Sequence, residues 1–395
     1  MQQSGSEAVL AISPTSQIQT VVTSASSHPV PETAALEIRQ AMGDQPLSQV
    51  VFFCSNDYDL KRLASALTRQ FEGIDVVGCT TAGEISPDGY STGGITVIGF
   101  SESYFTVEAA LVTDLANFSF QDAQALVHSM LDNCHDQHVA PVKGHTFALT
   151  LLDGLSVQEE RFLQLLNAHL GSIPLLGGSA ADNMYHRKTH VYQNGKFHTD
   201  AAILLMVNTA CDFEAFSIHH LIETEEKLVV TEADAAERRV IELNAEPAAV
   251  EYARALDLPI EALTAEVFAL NPLTVKLGDQ FYPRAIQKVN DDLSLSFYCA
   301  IDTGIVLTRS QPERILEGLN ELFDGISCRI GTPQLVLGYD CTFRRLEIAH
   351  HGLCQQASEI LKRHNVIGFN TYGEQFNGMH LNQTFTGVAL GGVGF

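Results

Sequence analysis

Short apolar runs that end in turn residues alternate along the chain with stretches whose apolar positions recur every three or four residues. QVVFFCSND (49–57) reads as a buried strand, YDLKRLASALTRQF as an amphipathic helix, VVGCTTAGE (76–84) as a strand entering a small-residue loop, and GGITVIGF (93–100) as a closing strand. The order recurs in TFALTLL (146–152), VQEERFLQLLNAHL, PLLGGSAADN (174–183) and DAAILLMV (200–207). A third pass runs through QLVLGYDC (334–341), the helical RRLEIAHHGLCQQASEILKRH, NVIGFNTYGE (365–374) and QTFTGVALG (383–391). The loops 78–84 and 368–374 match as G-x-x-T-x-G-E, and 177–182 (GGSAAD) is a looser copy. A fixed order repeated three times predicts a duplicated β-α-β-loop-β unit.

Between the second and third passes, residues 211–310 are β-rich: KLVVTEA, RRVIELN, RAIQKV, LSLSFYCAI and GIVLTRS read as strands, AAVEYARAL and IEALTAEVFAL as helices. The pattern predicts an α/β (α+β) fold of repeated units in mixed sheets with a β-rich middle segment. The first forty residues are rich in Ser, Thr, Gln and Pro. Residues 1–44 are therefore expected to form a mobile N-terminal arm, although a helix begins after Pro31.

With 45% hydrophobic and 18% charged residues, the 395-residue chain has the material for a sizeable core in two or three units. Its formal charge is 23 − 47 = −24, which leaves no electrostatic reason to bind nucleic acid or an anionic membrane. No apolar run spans a bilayer, and MQQSGSEAVLAISPTSQIQT lacks the basic and apolar regions of a signal peptide. Eight scattered cysteines without a CxxC pair fit a reducing compartment, so a cytoplasmic location is expected.

GCTTAGE is neither a Walker loop nor a dinucleotide fingerprint, and GxSxG, HExxH and the kinase motifs are absent, so no enzyme class is indicated. The glycine loops either pack tightly between sheets or line a pocket where backbone amides approach a ligand. Fifteen histidines raise metal or haem chemistry. Most clusters, such as Cys134/His135/His138 and His350/His351/Cys354, read equally as solvated helix faces, and none supplies four zinc ligands. His380 stands before the last strand in weakly polar to apolar surroundings, and His198 holds a similar place in the second copy. A single histidine beside an apolar cavity is what five-coordinate haem requires, although a structural histidine explains either position as well. As iron ligand His380 ranks first, then His190, with His198 and His220 behind. Cys341 and Cys54, at the ends of corresponding first strands, are minor thiolate options.

VVGCTTAGEISPDGY, LLGGSAADN and VIGFNTYGEQFNGMHLNQTFTGVALG resemble the FIST family of sensory proteins, over residues 50–390. The resemblance implies a FIST N-like sensory domain at 45–215 and a FIST C-like domain at 216–395. It further implies a small-ligand sensor of bacterial signal transduction rather than an enzyme. A free-standing pair without a visible output domain looks like the NosP-type haem-binding nitric-oxide sensors. Such a protein binds haem b and nitric oxide and regulates a separately encoded histidine kinase or cyclic-di-GMP enzyme. Arg344 with Arg345, or Arg238 with Arg239, Arg187 or Arg284, are candidate propionate partners, because guanidinium suits carboxylate. The alternative is a haem-free sensor of an amino acid or other small ligand, bound against the loops at Gly83, Glu84, Asp182, Tyr372 and Glu374. The apolar tail FTGVALGGVGF reads either as core or as a homodimer interface.

Overall fold

The computed structural model describes residues 19–394. The first copy comprises β1 (Val21–Ser26), α1 (Pro31–Met42), β2 (Leu47–Ser55), α2 (Leu60–Gln70), β3 (Val76–Thr81), β4 (Glu84–Ser86), β5 (Gly89–Ser91) and β6 (Ile95–Ser101). The second comprises β7 (Phe105–Thr113), α3 (Phe120–Gln137), β8 (Thr146–Leu152), α4 (Glu159–Leu170), β9 (Leu175–Ser179), β10 (Val191–Gln193), β11 (Lys196–His198) and β12 (Ala201–Thr209).

The third copy opens with β13 (Cys211–Ile218) and is interrupted by an insertion. This contains β14 (Leu221–Asp234), β15 (Arg239–Leu243), β16 (Glu246–Pro247), α5 (Ala248–Ala255), α6 (Ala265–Leu270), β17 (Leu273–Leu277), β18 (Gln280–Arg284), β19 (Ile286–Val289), β20 (Leu295–Phe297) and β21 (Val306–Pro312). The copy resumes with α7 (Ile315–Ile330), β22 (Leu335–Cys341), α8 (Thr342–His350), α9 (Cys354–Arg363), β23 (Val366–Thr371), β24 (Glu374–Phe376), β25 (Met379–Leu381) and β26 (Phe385–Val393). Gly352, at φ +68°, separates α8 from α9, where the periodicity predicts one helix.

Each repeat is thus longer than its periodicity shows, because a strand and a helix precede the expected unit. Residues 21–42 are part of the fold, which corrects the mobile arm over that range: β1 pairs with β6 from Val21 opposite Phe100 to Ser26 opposite Ile95. Ala34, Ala35 and Ile38 of α1 are buried against the same sheet. The polar positions of VVTSAS mask the strand in the sequence. Residues 1–18 lie outside the described residues. The expected boundary at 215/216 falls inside β13, which pairs along β26. Buried β26 lies between β13 and β22, so most of the apolar tail is sheet core; Phe395 lies outside the described residues.

In every copy the two central strands run parallel, joined by one crossover helix in the first two copies and by α8 and α9 in the third, and the outer strands are antiparallel. The mixed α/β architecture expected from the sequence is the one observed. What the sequence does not reveal is the destination of the short hairpins. The sheet orders are β1-β6-β2-β3-β10-β11, β25-β24-β9-β8-β12-β7 and β13-β26-β22-β23-β4-β5. The first copy lends its hairpin to the third sheet, the third to the second, and the second to the first. The cycle is closed.

The inner faces of the sheets meet in one core, where Phe53, Tyr339 and Phe369 form an aromatic triad with ring centroids 4.7–6.5 Å apart. Helices cover the outer faces, α1 and α2 on the first sheet and α3 and α4 on the second. Covered on both faces, the central strands read as continuous apolar runs rather than as alternating ones.

Candidate functional site

The sheet registers define which residues correspond. Gly78, Gly177 and Gly368 are equivalent, since each pairs with the central strand of its copy, opposite Phe52, Thr150 and Gly338. Opposite them on the borrowed hairpins stand Tyr192, Gln375 and Ile85. Glu84, Glu374 and Val191 therefore correspond, and so do Gly83, Gly373 and His190. Where the first and third copies have one glycine, the second has residues 182–190. This longer loop is why the second copy of the motif looks loose.

The three loops are joined in a ring of backbone hydrogen bonds. Asn370 N–H donates to the Gly83 carbonyl at 2.7 Å, Ser179 N–H to the Gly373 carbonyl at 2.9 Å, and Thr80 N–H to the His190 carbonyl at 3.0 Å. Around them the acidic side chains are engaged by neighbouring groups. Glu84 accepts from the Thr81 hydroxyl at 2.7 Å and Gly94 N–H at 3.3 Å, and burial pushes its carboxyl up to about 7. Glu374 accepts from Thr384 N–H at 3.1 Å and its hydroxyl at 2.8 Å, and burial likewise raises it well above the usual range. Asp182 accepts backbone N–H groups from His186, Arg187 and Lys188 at 2.7–2.9 Å, and the Tyr372 hydroxyl donates to it. Gly83, Glu84, Asp182, Tyr372 and Glu374 are all buried, and these bonds make them clamps of the loops.

The candidate histidines part company. His220 is buried with both ring nitrogens engaged, Nδ1 accepting from Arg344 at 2.7 Å and Nε2 on Glu347 at 2.7 Å. Arg344 also donates to Asp340 at 2.8 Å, and Arg345 lies 4.0 Å above the Tyr90 ring. His220 has no nitrogen free for iron, and Arg344 is committed to a buried network; neither fits the expected role. Cys54 and Cys341 are buried thiols whose deprotonation burial strongly disfavours.

His380 places Nδ1 3.3 Å from Glu160. Its Nε2 faces Gly373 so closely that a Cβ there would lie 1.8 Å away, where iron would have to stand. Glu159, Glu160 and His380 form a cluster of metal-ligand type, but Arg238 bonds both carboxylates, Glu159 at 2.7 Å, and Ala300 N–H donates to Glu160 at 2.6 Å. Burial works against the charged Glu160, yet His380 and Arg238 hold its carboxyl well below the usual range. The cation here is a guanidinium. His380 does not fit as a haem ligand.

His190 and His198 come together. They line a cleft of about 650 Å³ between α2 and the β10–β11 hairpin, with Leu60, Ala64 and Phe197 as apolar walls. Three of the chain's eight lysines, Lys61, Lys188 and Lys196, line it as well, and no Asp or Glu does. The His190 ring has no hydrogen-bond partner among the described residues, and its Nδ1 is buried. Burial and Lys188 lower its pKa, and burial and Lys196 lower that of His198, so both rings are neutral, the form that ligates a metal. Thr80 fixes the His190 backbone from both sides, its hydroxyl accepting from His190 N–H at 3.0 Å. Sequence pattern alone does not single out the lysines, although KTHVYQNGKFH (188–198) carries two of them with both histidines and no acid. His198 is not the counterpart of His380. Across the hairpins His380 pairs with Gln375 and Phe197 with Tyr192, so Phe197 takes that place and His198 points from the opposite face.

Among the described residues no helix is long and apolar enough to cross a membrane. No curated protein matches the chain at a significant level. The family model of the FIST N domain matches residues 48–246 and that of the FIST C domain residues 248–377. The chain belongs to the FIST family of signal-transduction sensors, which bind small ligands.

Proposed function

We propose that the protein is a haem-based nitric-oxide sensor whose haem occupies the cleft between α2 and the β10–β11 hairpin, held by His190. The observation that carries this reading is a neutral imidazole without a partner on the wall of a cleft whose charged lining is wholly cationic. The macrocycle matches Leu60, Ala64 and Phe197, and its two propionates match Lys61, Lys188 and Lys196, which take the part expected of Arg344 and Arg345. Cleft volumes of about 300–1,000 Å³ are usual for such ligands. Haem bound there supplies an iron centre for a diatomic gas. The chain's own contribution is a neutral ring, a backbone fixed by Thr80, and cations on a protein that is elsewhere strongly acidic. Regulation in trans of a histidine kinase or cyclic-di-GMP enzyme requires that gas binding change affinity for that partner, typically by about 1–3 kcal/mol.

The test is reconstitution with hemin, reduction and exposure to nitric oxide, followed by absorption. A ferrous Soret band that shifts with the gas is expected in the native protein, in His380→Ala and in His220→Ala, and not in His190→Ala. A band indifferent to His190→Ala overturns the reading.

A further inference from the structure

The closed exchange creates three corresponding joints, each between a hairpin of one copy and a helix of the copy that receives it. Two are shut. At the β4–β5 tip, a Cβ on Gly89 would lie 2.5 Å from Ser358 of α9; Tyr90 N–H donates to the Ser358 hydroxyl at 3.2 Å, and Lys362 pairs with Asp88 at 2.8 Å. At the β24–β25 tip, a Cβ on Gly378 would lie 2.8 Å from Asn167 of α4, and Arg238 reaches in from the insertion to seal Glu159 and Glu160. At the third tip the nearest neighbour of a Cβ on Gly195 is the Thr68 hydroxyl at 3.3 Å, and beside it the cleft opens. Thr68 and Asn167 are both ninth in their helices, so α2 and α4 meet their hairpins in the same register.

We infer that the β10–β11 hairpin is the moving part of the sensor: an anionic ligand in the cleft does for the first joint what Arg238 does for the second, drawing the hairpin onto α2. The inference rests on the cleft being the ligand site. The hairpin pairs with β3 through Val191–Gln193 and is tied at Asn194 to Asp75 and Val76, so β3 is the edge about which it swings. It is entered through loop 182–190, found only in the second copy, in which Asn183, Met184 and His186 have φ of 50–66°. That loop also carries His186, which stacks on Tyr372 at 5.1 Å and meets the Tyr298 hydroxyl of the insertion at 2.5 Å. Closure at one end is thereby communicated to the insertion at the other.

Hydrogen exchange of the full chain with and without hemin tests this, with hemin binding followed in parallel by the Soret band of the native protein and His190→Ala. The expected result is exchange slowed at least tenfold in 191–198 and altered in 183–188 and 297–300, with 84–91 and 374–381 unchanged. His190-dependent binding with unchanged exchange in 191–198 overturns the moving hairpin and leaves the haem reading standing. Protection spread evenly over the chain also overturns it, because that is the signature of global stabilisation. Binding that ignores His190→Ala overturns both. As an internal control, Arg238→Gln is expected to speed exchange in 374–381 without hemin; no change there removes the parallel between Arg238 and the ligand.

Discussion

Lys61 and Glu160 are the second residues of corresponding helices and carry opposite charges into corresponding joints. Glu160 is sealed by Arg238 and His380, whereas Lys61 stands on an open cleft. Reversing the charge at the exposed Lys61 removes a propionate partner and adds repulsion. Lys61→Glu is expected to weaken hemin binding by about tenfold or more, the effect of roughly 1.4 kcal/mol. A thermal melt within a few degrees of the native protein, measured beside the titration, shows that the loss is local.

Glu84 and Glu374 do the same work in their copies, each fastening the hairpin loop to the segment ahead of the closing strand. Glu84 has a folded pKa of about 7, above its unfolded value, owing first to burial. Its contribution is fully present below the unfolded pKa and is lost as pH rises through about 7. Glu84→Gln cannot ionise. The native protein is therefore expected to lose stability relative to Glu84→Gln between pH 5 and 8, by roughly 2–3 kcal/mol. Urea denaturation of both proteins across that range checks the sign; parallel curves would show that Glu84 does not titrate there.

Arg238 joins the insertion to the second copy through the carboxylates of Glu159 and Glu160, and is itself held within the insertion by the Tyr298 carbonyl. Arg238→Ala leaves the buried Glu159 without its ion pair, and a loss of about 3–5 kcal/mol in urea unfolding is expected.

Gly195 and Gly378 are the second turn residues of their hairpins, and Gly89 is the first residue of β5. All three have positive φ, so alanine strains each backbone, but only at Gly89 and Gly378 would the new methyl come within 3 Å of the facing helix. Gly89→Ala and Gly378→Ala are expected to cost about 1–3 kcal/mol more than Gly195→Ala, because overpacking adds to the backbone term. Chemical denaturation of the three variants measures the difference.

The repeat, its strands and most of the insertion are legible in the sequence because apolar runs and turn residues are local signals. Three things are not. VVTSAS of β1 is half polar and hides a strand buried by its partners. The hairpins of three-residue strands are too short to show a period, and their pairing with another copy is a long-range fact. The motif comparison also slips at the second copy, where residues 182–190 replace one glycine; Asp182 then aligns with glutamates that correspond to Val191, and His198 with His380, whose counterpart is Phe197. Histidine count drew attention to His380, but only geometry separates it, pressed against Gly373, from His190, whose ring is free.

The closed hairpin cycle has a consequence for the order of events on the ribosome. Residues 84–91, the outer strands of the third sheet, are made about 275 residues ahead of the strand that receives them, Val366–Thr371 (366 − 91 = 275). At about 5–20 residues per second, that hairpin waits roughly 15–60 s for its place. Neither the first nor the second sheet is complete when its own copy has been synthesised, because each takes its hairpin from a later one. The boundary near residue 247 that separates the two family domains is a division of the gene's text; the two halves become one folded object only once Val366–Thr371 has been made to receive the first hairpin.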